Sequence, residues 1–225
     1  APIGGRITVS LPDFGAFKPF LPATVQNITG NLNADAHIGG RVGSPSVNAA
    51  VNGSSNYGKI NGNITIGQSN SFSTSPLGGK LNLTVADAEV FRNFLPVGQT
   101  VKGSLNAAVT LGGNIANPHL GGSINGEKLY YRNQSQGIIL DNGSLRSHIE
   151  GRKWIIDSLK FRHEGTAELS GTVSMENSEP DVDISAVFDK YRILSRPNRR
   201  LLVSGNTLLL YSPQKGISVT GMIKT

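Results

Sequence analysis

Cysteine is absent from this chain, so neither a disulfide framework nor a thiolate metal site is available to it. No apolar run reaches the ~18 residues that a bilayer-spanning helix needs. The opening Ala1-Pro2-Ile3-Gly4-Gly5 lacks a basic stretch followed by an apolar one, so no leader is expected there. The text reads as a mature protein or an excised piece of a longer one, with the piece favoured because both ends fall inside strand-like sequence. Aromatic residues are scarce at 6%, Trp154 is the single tryptophan, and charged residues make up only 16% of the 225 positions. A large two-layer interior would therefore have few bulky fillers.

Catalytic signatures are missing as well. His37, His119, His148 and His163 stand apart, without HExxH or paired spacing, so no metal site is expected, and His37 and His163 fall on mostly apolar faces as structural histidines. No GxSxG elbow activates a serine, and neither GxGxxG nor GxxxxGK[ST] is present to cradle a phosphate. Asp181 and Asp183 share one face of a strand, but they mark solvent exposure rather than an acid–base pair. No enzyme activity and no cofactor is expected. Nucleic-acid binding would need basic residues interleaved with stacking aromatics, and Tyr191-Arg192 is too slight an approach to it.

The abundant residues are those of strands and turns, with glycine alone at 28 positions. Period-two alternation marks the strands. Val101, Gly103, Leu105, Ala107, Val109 and Leu111 alternate with Lys102, Ser104, Asn106, Ala108 and Thr110, one strand about 33 Å long at roughly 3.3 Å per residue. Ile28, Gly30, Leu32, Ala34, Ala36 and Ile38 form its equivalent, and Leu169, Gly171 and Val173 alternate in the same way later. Gly39-Gly40 and Gly112-Gly113 read as turns. Brief helical turns are expected near 13–20 and 87–94, capped by Asp13 or Asp87 and stopped by Pro22 or Pro96.

An internal repeat ties these segments together. Gly4-Gly5-Arg6-Ile7-Thr8-Val9 lines up with Gly78-Gly79-Lys80-Leu81-Asn82-Leu83 at an offset of 74, and Phe20-Leu21-Pro22 with Phe94-Leu95-Pro96. At an offset of 73, ten of 29 positions from Val25 to Gly53 are identical to Gly98 through Gly126. The chain is thus expected to be a single elongated unit, residues 1–225, built of tandem repeats at about 4–76 and 78–150 with a degenerate unit at about 180–225.

An all-β fold of long antiparallel strands, each with one dry and one wet face, follows. What covers the dry side stays open from the pattern alone. A second sheet would make a closed sandwich, suited to an adhesion or carbohydrate-binding module of a cell-surface protein. A single curled sheet would leave an apolar trough, where burying an acyl chain yields ~0.8 kcal/mol per methylene.

The net charge of +6 is concentrated in Lys190, Arg192, Arg196, Arg199 and Arg200. A solvated loop is the plain expectation for that segment, and contact with an anionic headgroup the functional one.

Several phrases resemble a known family. Asp87, Phe94-Leu95-Pro96, Val101-Lys102-Gly103-Ser104-Leu105 and Gly113-Asn114-Ile115-Ala116-Asn117-Pro118-His119-Leu120-Gly121-Gly122 are similar to the C-terminal region of the TamB family, the inner-membrane subunits of the bacterial translocation and assembly module. Leu140-Asp141-Asn142-Gly143, Trp154-Ile155-Ile156-Asp157 and Gly165-Thr166-Ala167-Glu168-Leu169 fit too. The resemblance implies a β-taco, a curled sheet with a hydrophobic interior groove, in the periplasm of a Gram-negative bacterium as part of an inner-membrane-anchored protein. It also implies an outer-membrane partner of the Omp85 class, TamA. The cargo it implies is unfolded outer-membrane protein strands, autotransporters among them, and/or phospholipid acyl chains. The lining expected on that basis is Ile28, Leu32, Ala36, Ile38, Leu105, Ala107, Val109, Leu111, Leu169 and Val173.

Overall fold

The computed structural model describes residues 1–13, 29–175, 179–196 and 199–225, with the side chains of 93, 94, 194–196, 199 and 200 left aside. The fold is all-β. Thirteen strands follow one another in chain order within one open antiparallel sheet: β1 (Gly5–Leu11), β2 (Gly30–Arg41), β3 (Ser44–Ser55), β4 (Gly58–Ile66), β5 (Leu77–Val85), β6 (Gln99–Gly113), β7 (Pro118–Asn133), β8 (Ile138–Glu150), β9 (Lys153–Arg162), β10 (Thr166–Ser174), β11 (Asp181–Arg196), β12 (Arg199–Ser212) and β13 (Gly216–Lys224). No second sheet lies among the described residues, so the two-sheet sandwich is not the architecture.

The repeated phrases become equivalent elements. Gly4–Val9 and Gly78–Leu83 lie at β1 and β5, while the stretch matched at the offset of 73 gives β2 and β3 first and β6 and β7 second. Ala88–Phe94 is a 3-10 helix capped by Asp87, whose carboxylate accepts from the Glu89 backbone N–H at 3.0 Å. The helical turn expected at 13–20 lies outside the described residues, as does Ile28.

Two expectations about local structure are corrected. Gly39 and Gly40 pair within β2 against Ser46 and Pro45, and the turn falls at Val42-Gly43. Gly112 and Gly113 likewise close β6, with the turn at 114–117, where the Asn114 side chain accepts from the Asn117 N–H at 2.8 Å. Glycine fits a ladder as well as a turn, so these pairs could not place the bend. The basic segment is also no loop: Lys190, Arg192 and Arg196 belong to β11, and Arg199 and Arg200 open β12.

By its contacts the chain divides into two units. Unit 1 comprises Ala1–Ala86 with Asn106–Gly122, and unit 2 comprises Asp87–Leu105 with Ser123–Thr225. Of the buried hydrophobic side chains among the described residues, only Val85 belongs to unit 1; Ile156, Phe161, Ala167, Ala186, Tyr191 and Val203 all belong to unit 2, together with Ala88. Among the described residues, those of unit 1 leave its apolar face exposed and those of unit 2 pack a core.

Candidate hydrophobic groove

Directly opposed residues of antiparallel strands share a face. In unit 1 the register therefore defines apolar rows running across five strands. Ile7, Ala36, Ala49, Ile64 and Gly79 make one; Val9, Ala34, Val51, Gly62 and Leu81 make the next; Leu11, Leu32, Gly53, Ile60 and Leu83 a third; and Gly5, Ile38, Val47, Ile66 and Leu77 a fourth.

The opposite face is mostly polar. Ser10, Asn33, Asn52, Asn61 and Asn82 form a cross-strand ladder in which the Asn61 amide donates to Asn52 Oδ1 at 2.6 Å and the Ser10 hydroxyl donates to Asn33 Oδ1 at 2.8 Å. Asp35 on this face accepts from the Thr8 hydroxyl and from Arg6 Nε, each at 2.8 Å. Those hydrogen bonds, Thr8 first, hold its carboxyl below the usual carboxylate range. His37 also lies on the polar face, exposed and 2.9 Å from Asp35, rather than on the apolar face expected of it. Alternation assigns odd and even positions to opposite faces, and His37 is out of phase with Ala36 and Ile38.

Among the described residues of unit 1 no element covers the apolar face, and the face is hollowed. Ile7 is 55% exposed and Ile64 49%, and both border a hollow of about 240 Å³ whose floor is made by Ala34, Ala36 and Ala49. Val9, Val51 and Leu81 complete its apolar wall. In the Ile7 row, two alanines between branched Ile7 and Ile64 hollow the face by side-chain size. A second, larger hollow of about 540 Å³ opens beside the Ile38, Val47, Ile66 and Leu77 row.

The structure places the expected lining residues unevenly. Leu32, Ala36 and Ile38 lie in the apolar rows of unit 1, and Ala107, Val109 and Leu111 form the half-buried side of the part of β6 that belongs to unit 1. Leu105, Leu169 and Val173 belong to unit 2. Ile7, Val9, Ala49, Val51, Ile64 and Leu81 were not anticipated as lining, although the same period-two alternation marks them. Among the basic residues, Lys190 is exposed, but Arg192 is only 14% exposed and donates to Glu164 Oε1 at 2.9 Å. Its charge is therefore spent within the protein.

Unit 2 treats its apolar face differently. Phe161, Ala167, Tyr191 and Val203 form a buried cluster, and Leu129, Leu140, Leu159, Leu169 and Phe188 pack against it. Beside the cluster, His163 Nδ1 lies 2.8 Å from Asp141 Oδ2, and Arg192 donates to His163 Nε2, which fixes the ring proton on Nδ1. Tyr191 is fully enclosed, and its hydroxyl lies beside the Asp141 backbone without completing a hydrogen bond. Burial pushes this phenol up to about 12, and the Asp141 charge pushes it the same way.

Against known families, residues 48–126, from β3 into β7, match the model described as TamB, N-terminal domain. Over that stretch the chain is similar to the TamB family. The match is to the N-terminal model of TamB and does not carry the C-terminal placement that the sequence phrases suggested. No curated protein and no solved structure matches the chain. The matched segment contains Ala49, Val51, Ile64, Leu81 and all of β6, so it includes part of the apolar trough.

Proposed function

We propose that this chain is part of a periplasmic hydrophobic-groove protein that supports outer-membrane protein assembly, autotransporters included, and/or phospholipid transfer between the inner and outer membranes. The observation that carries the reading is the uncovered apolar face of unit 1, with its alanine floor between exposed Ile7 and Ile64. A soluble domain leaves such a face open only where something else covers it. Acyl chains and the apolar side of an unfolded β-strand both fit a shallow trough lined mainly by apolar side chains. The TamB family is that of the translocation and assembly module, a non-enzymatic assembly and transport system associated with the periplasm of Gram-negative bacteria and with the Omp85-class barrel TamA. Family and face point the same way, and an inner-membrane anchor and TamA would then belong to the full-length protein. Leu32, Ala36, Ile38, Ala107, Val109 and Leu111 would line the trough of unit 1, and Leu105, Leu169 and Val173 would contribute to an apolar face of unit 2.

Photocrosslinkers placed one at a time at Ala36, Ala49 and Val109, with Asn52 and Asn61 as polar-face controls, test this in cells. Trapping of phospholipid or outer-membrane protein from the first set and not from the second is the expected result. Equal trapping from both faces, or none from the apolar one, overturns the reading.

A further inference from the structure

In unit 2 the sheet, open at its edge strands, curls until two non-neighbouring strands meet. Strands β8 and β11 are three places apart, which in a flat sheet would separate them by ~14 Å. Yet Leu194 of β11 pairs backbone to backbone with Ile138 of β8. Side chains from β7 through β12, Leu129 and Leu201 at the extremes, consequently meet in the one cluster around Phe161 and Tyr191.

The bend is made by strained backbone. Every non-glycine residue with positive φ among those described lies in this unit: Lys128 (52°), Asn142 (53°), Glu164 (42°) and Lys190 (47°). Each adjoins a residue of the closure, respectively Leu129, Asp141, His163 and Tyr191. The β11–β12 register also shifts twice here, between Phe188 and Tyr191 and again between Arg192 and Leu194. Bulges of this kind re-aim side chains and tighten a sheet locally.

Closure also leaves polar atoms stranded. Tyr191 Oη, Asp141 Oδ1 and Arg192 Nε are all buried without a hydrogen-bond partner. Parting the strands would hydrate all three and relax the backbone, while exposing Phe161 and Tyr191. Among the described residues the seam is a single residue pair, whereas the β10–β11 ladder runs the whole length of β10. The seam is therefore where the ring would open.

We propose that the β8–β11 seam is a gate: closed, it fills the apolar face of unit 2 with the protein's own Phe161 and Tyr191, and open, it admits a hydrocarbon chain to the Leu159, Leu169 and Ala186 row. This rests on the groove reading of unit 1, whose described residues leave the equivalent face exposed. The gate makes access to the apolar face of unit 2 conditional.

The chain has no cysteine, so Ile138→Cys with Leu194→Cys supplies the only thiol pair. Opposed antiparallel positions lie within disulfide reach. The probe is a photoactivatable sixteen-carbon fatty acid, mapped by peptide mass spectrometry on the oxidised and the reduced 225-residue chain. Amide exchange is measured on both forms without the probe. The expected result is labelling of β1–β5 in both forms, labelling of β9–β11 reduced at least tenfold by oxidation, and slower exchange of Tyr191 and Val203 in the oxidised form. Failure of the thiols to join, or labelling of β9–β11 that oxidation leaves unchanged, overturns the gate. If the probe labels neither unit, the groove reading fails, and exchange alone decides the gate: slowing by the disulfide supports an opening seam, and equal rates overturn it.

Discussion

Gly143 of β8 lies flat against the ring of Phe161: a Cβ added there would stand 2.5 Å from Phe161 Cε1 and 2.7 Å from Leu129 Cβ. The absence of a side chain at this one position lets β8 approach the ring that fills the unit 2 core. Gly143→Ala would force Phe161 and Leu129 apart in a packed cluster, an overpacking that costs about 1–3 kcal/mol. Urea denaturation should show a lower midpoint, and combining the change with Phe161→Leu should recover part of the loss. An unchanged midpoint would mean that the core is looser than its geometry indicates.

Tyr191 gives a prediction of opposite sign. Its hydroxyl is buried with no partner, so Tyr191→Phe removes a desolvated group and loses no hydrogen bond. Stability near neutral pH should stay level or rise by up to about 1 kcal/mol. Alkaline behaviour separates the variants further. The folded phenol titrates at about 12 against an unfolded value of 10.0, so between those pH values the unfolded chain sheds a proton that the folded one keeps. Stability from this group is complete below pH 10 and falls as pH rises through 12. Denaturation midpoints recorded from pH 9 to 12 should drop less steeply in Tyr191→Phe than in the parent.

These residues also mark the limit of what the sequence discloses. Alternation in Val101–Leu111 and the repeat at offsets of 74 and 73 specify strands, faces and the equivalence of β1–β3 with β5–β7, because a half-buried sheet writes its period into adjacent residues. The trough is legible by the same rule, since Ala34, Ala36 and Ala49 are small residues at in-facing positions. Closure of unit 2 is not. It depends on β8 meeting β11 across some fifty residues of chain, and the backbone bends that permit it fall on Lys128, Asn142, Glu164 and Lys190, three of which carry no turn chemistry that a reader would notice. Arg192 misled for a related reason. In a run of basic residues it looks like surface charge, while its partners Glu164 and His163 lie 28 and 29 positions away.

His148 offers a local test of the electrostatics of β8 and β9. Its Nδ1 lies 2.9 Å from Asp157 Oδ2 and its Nε2 3.5 Å from Glu150 Oε1. The hydrogen bond to Asp157, followed by the charges of Asp157 and Glu150, raises its titration above 6.5. A raised folded value means that the pairing stabilises the fold below the unfolded value and fades as pH climbs through the folded one. Two-dimensional NMR of the ring should show a midpoint above 6.5 that moves down in Asp157→Asn. A midpoint indifferent to that substitution would break the link.

Ala49 and Ala50 are neighbours in sequence on opposite faces of β3, which makes them a matched pair for the trough. Ala49 sits between Ala36 and Ile64 on the apolar rows; Ala50 sits between Asp35 and Asn63 on the polar side. Ala49→Arg puts a charge on the floor of the hollow, and Ala50→Arg puts the same side chain beside a carboxylate in solvent. Because the trough is open, the arginine can reach water, so both variants should fold within about 1 kcal/mol of the parent. Were the face covered, an unpaired buried charge at 49 would instead cost on the order of 3–5 kcal/mol. Binding separates the two substitutions where stability does not. The affinity of unit 1 for a fluorescent fatty acid should fall at least tenfold in Ala49→Arg and stay within twofold in Ala50→Arg. Severe destabilisation by Ala49→Arg would show a hidden cover over the face, and equal binding by both variants would place the probe somewhere other than the trough.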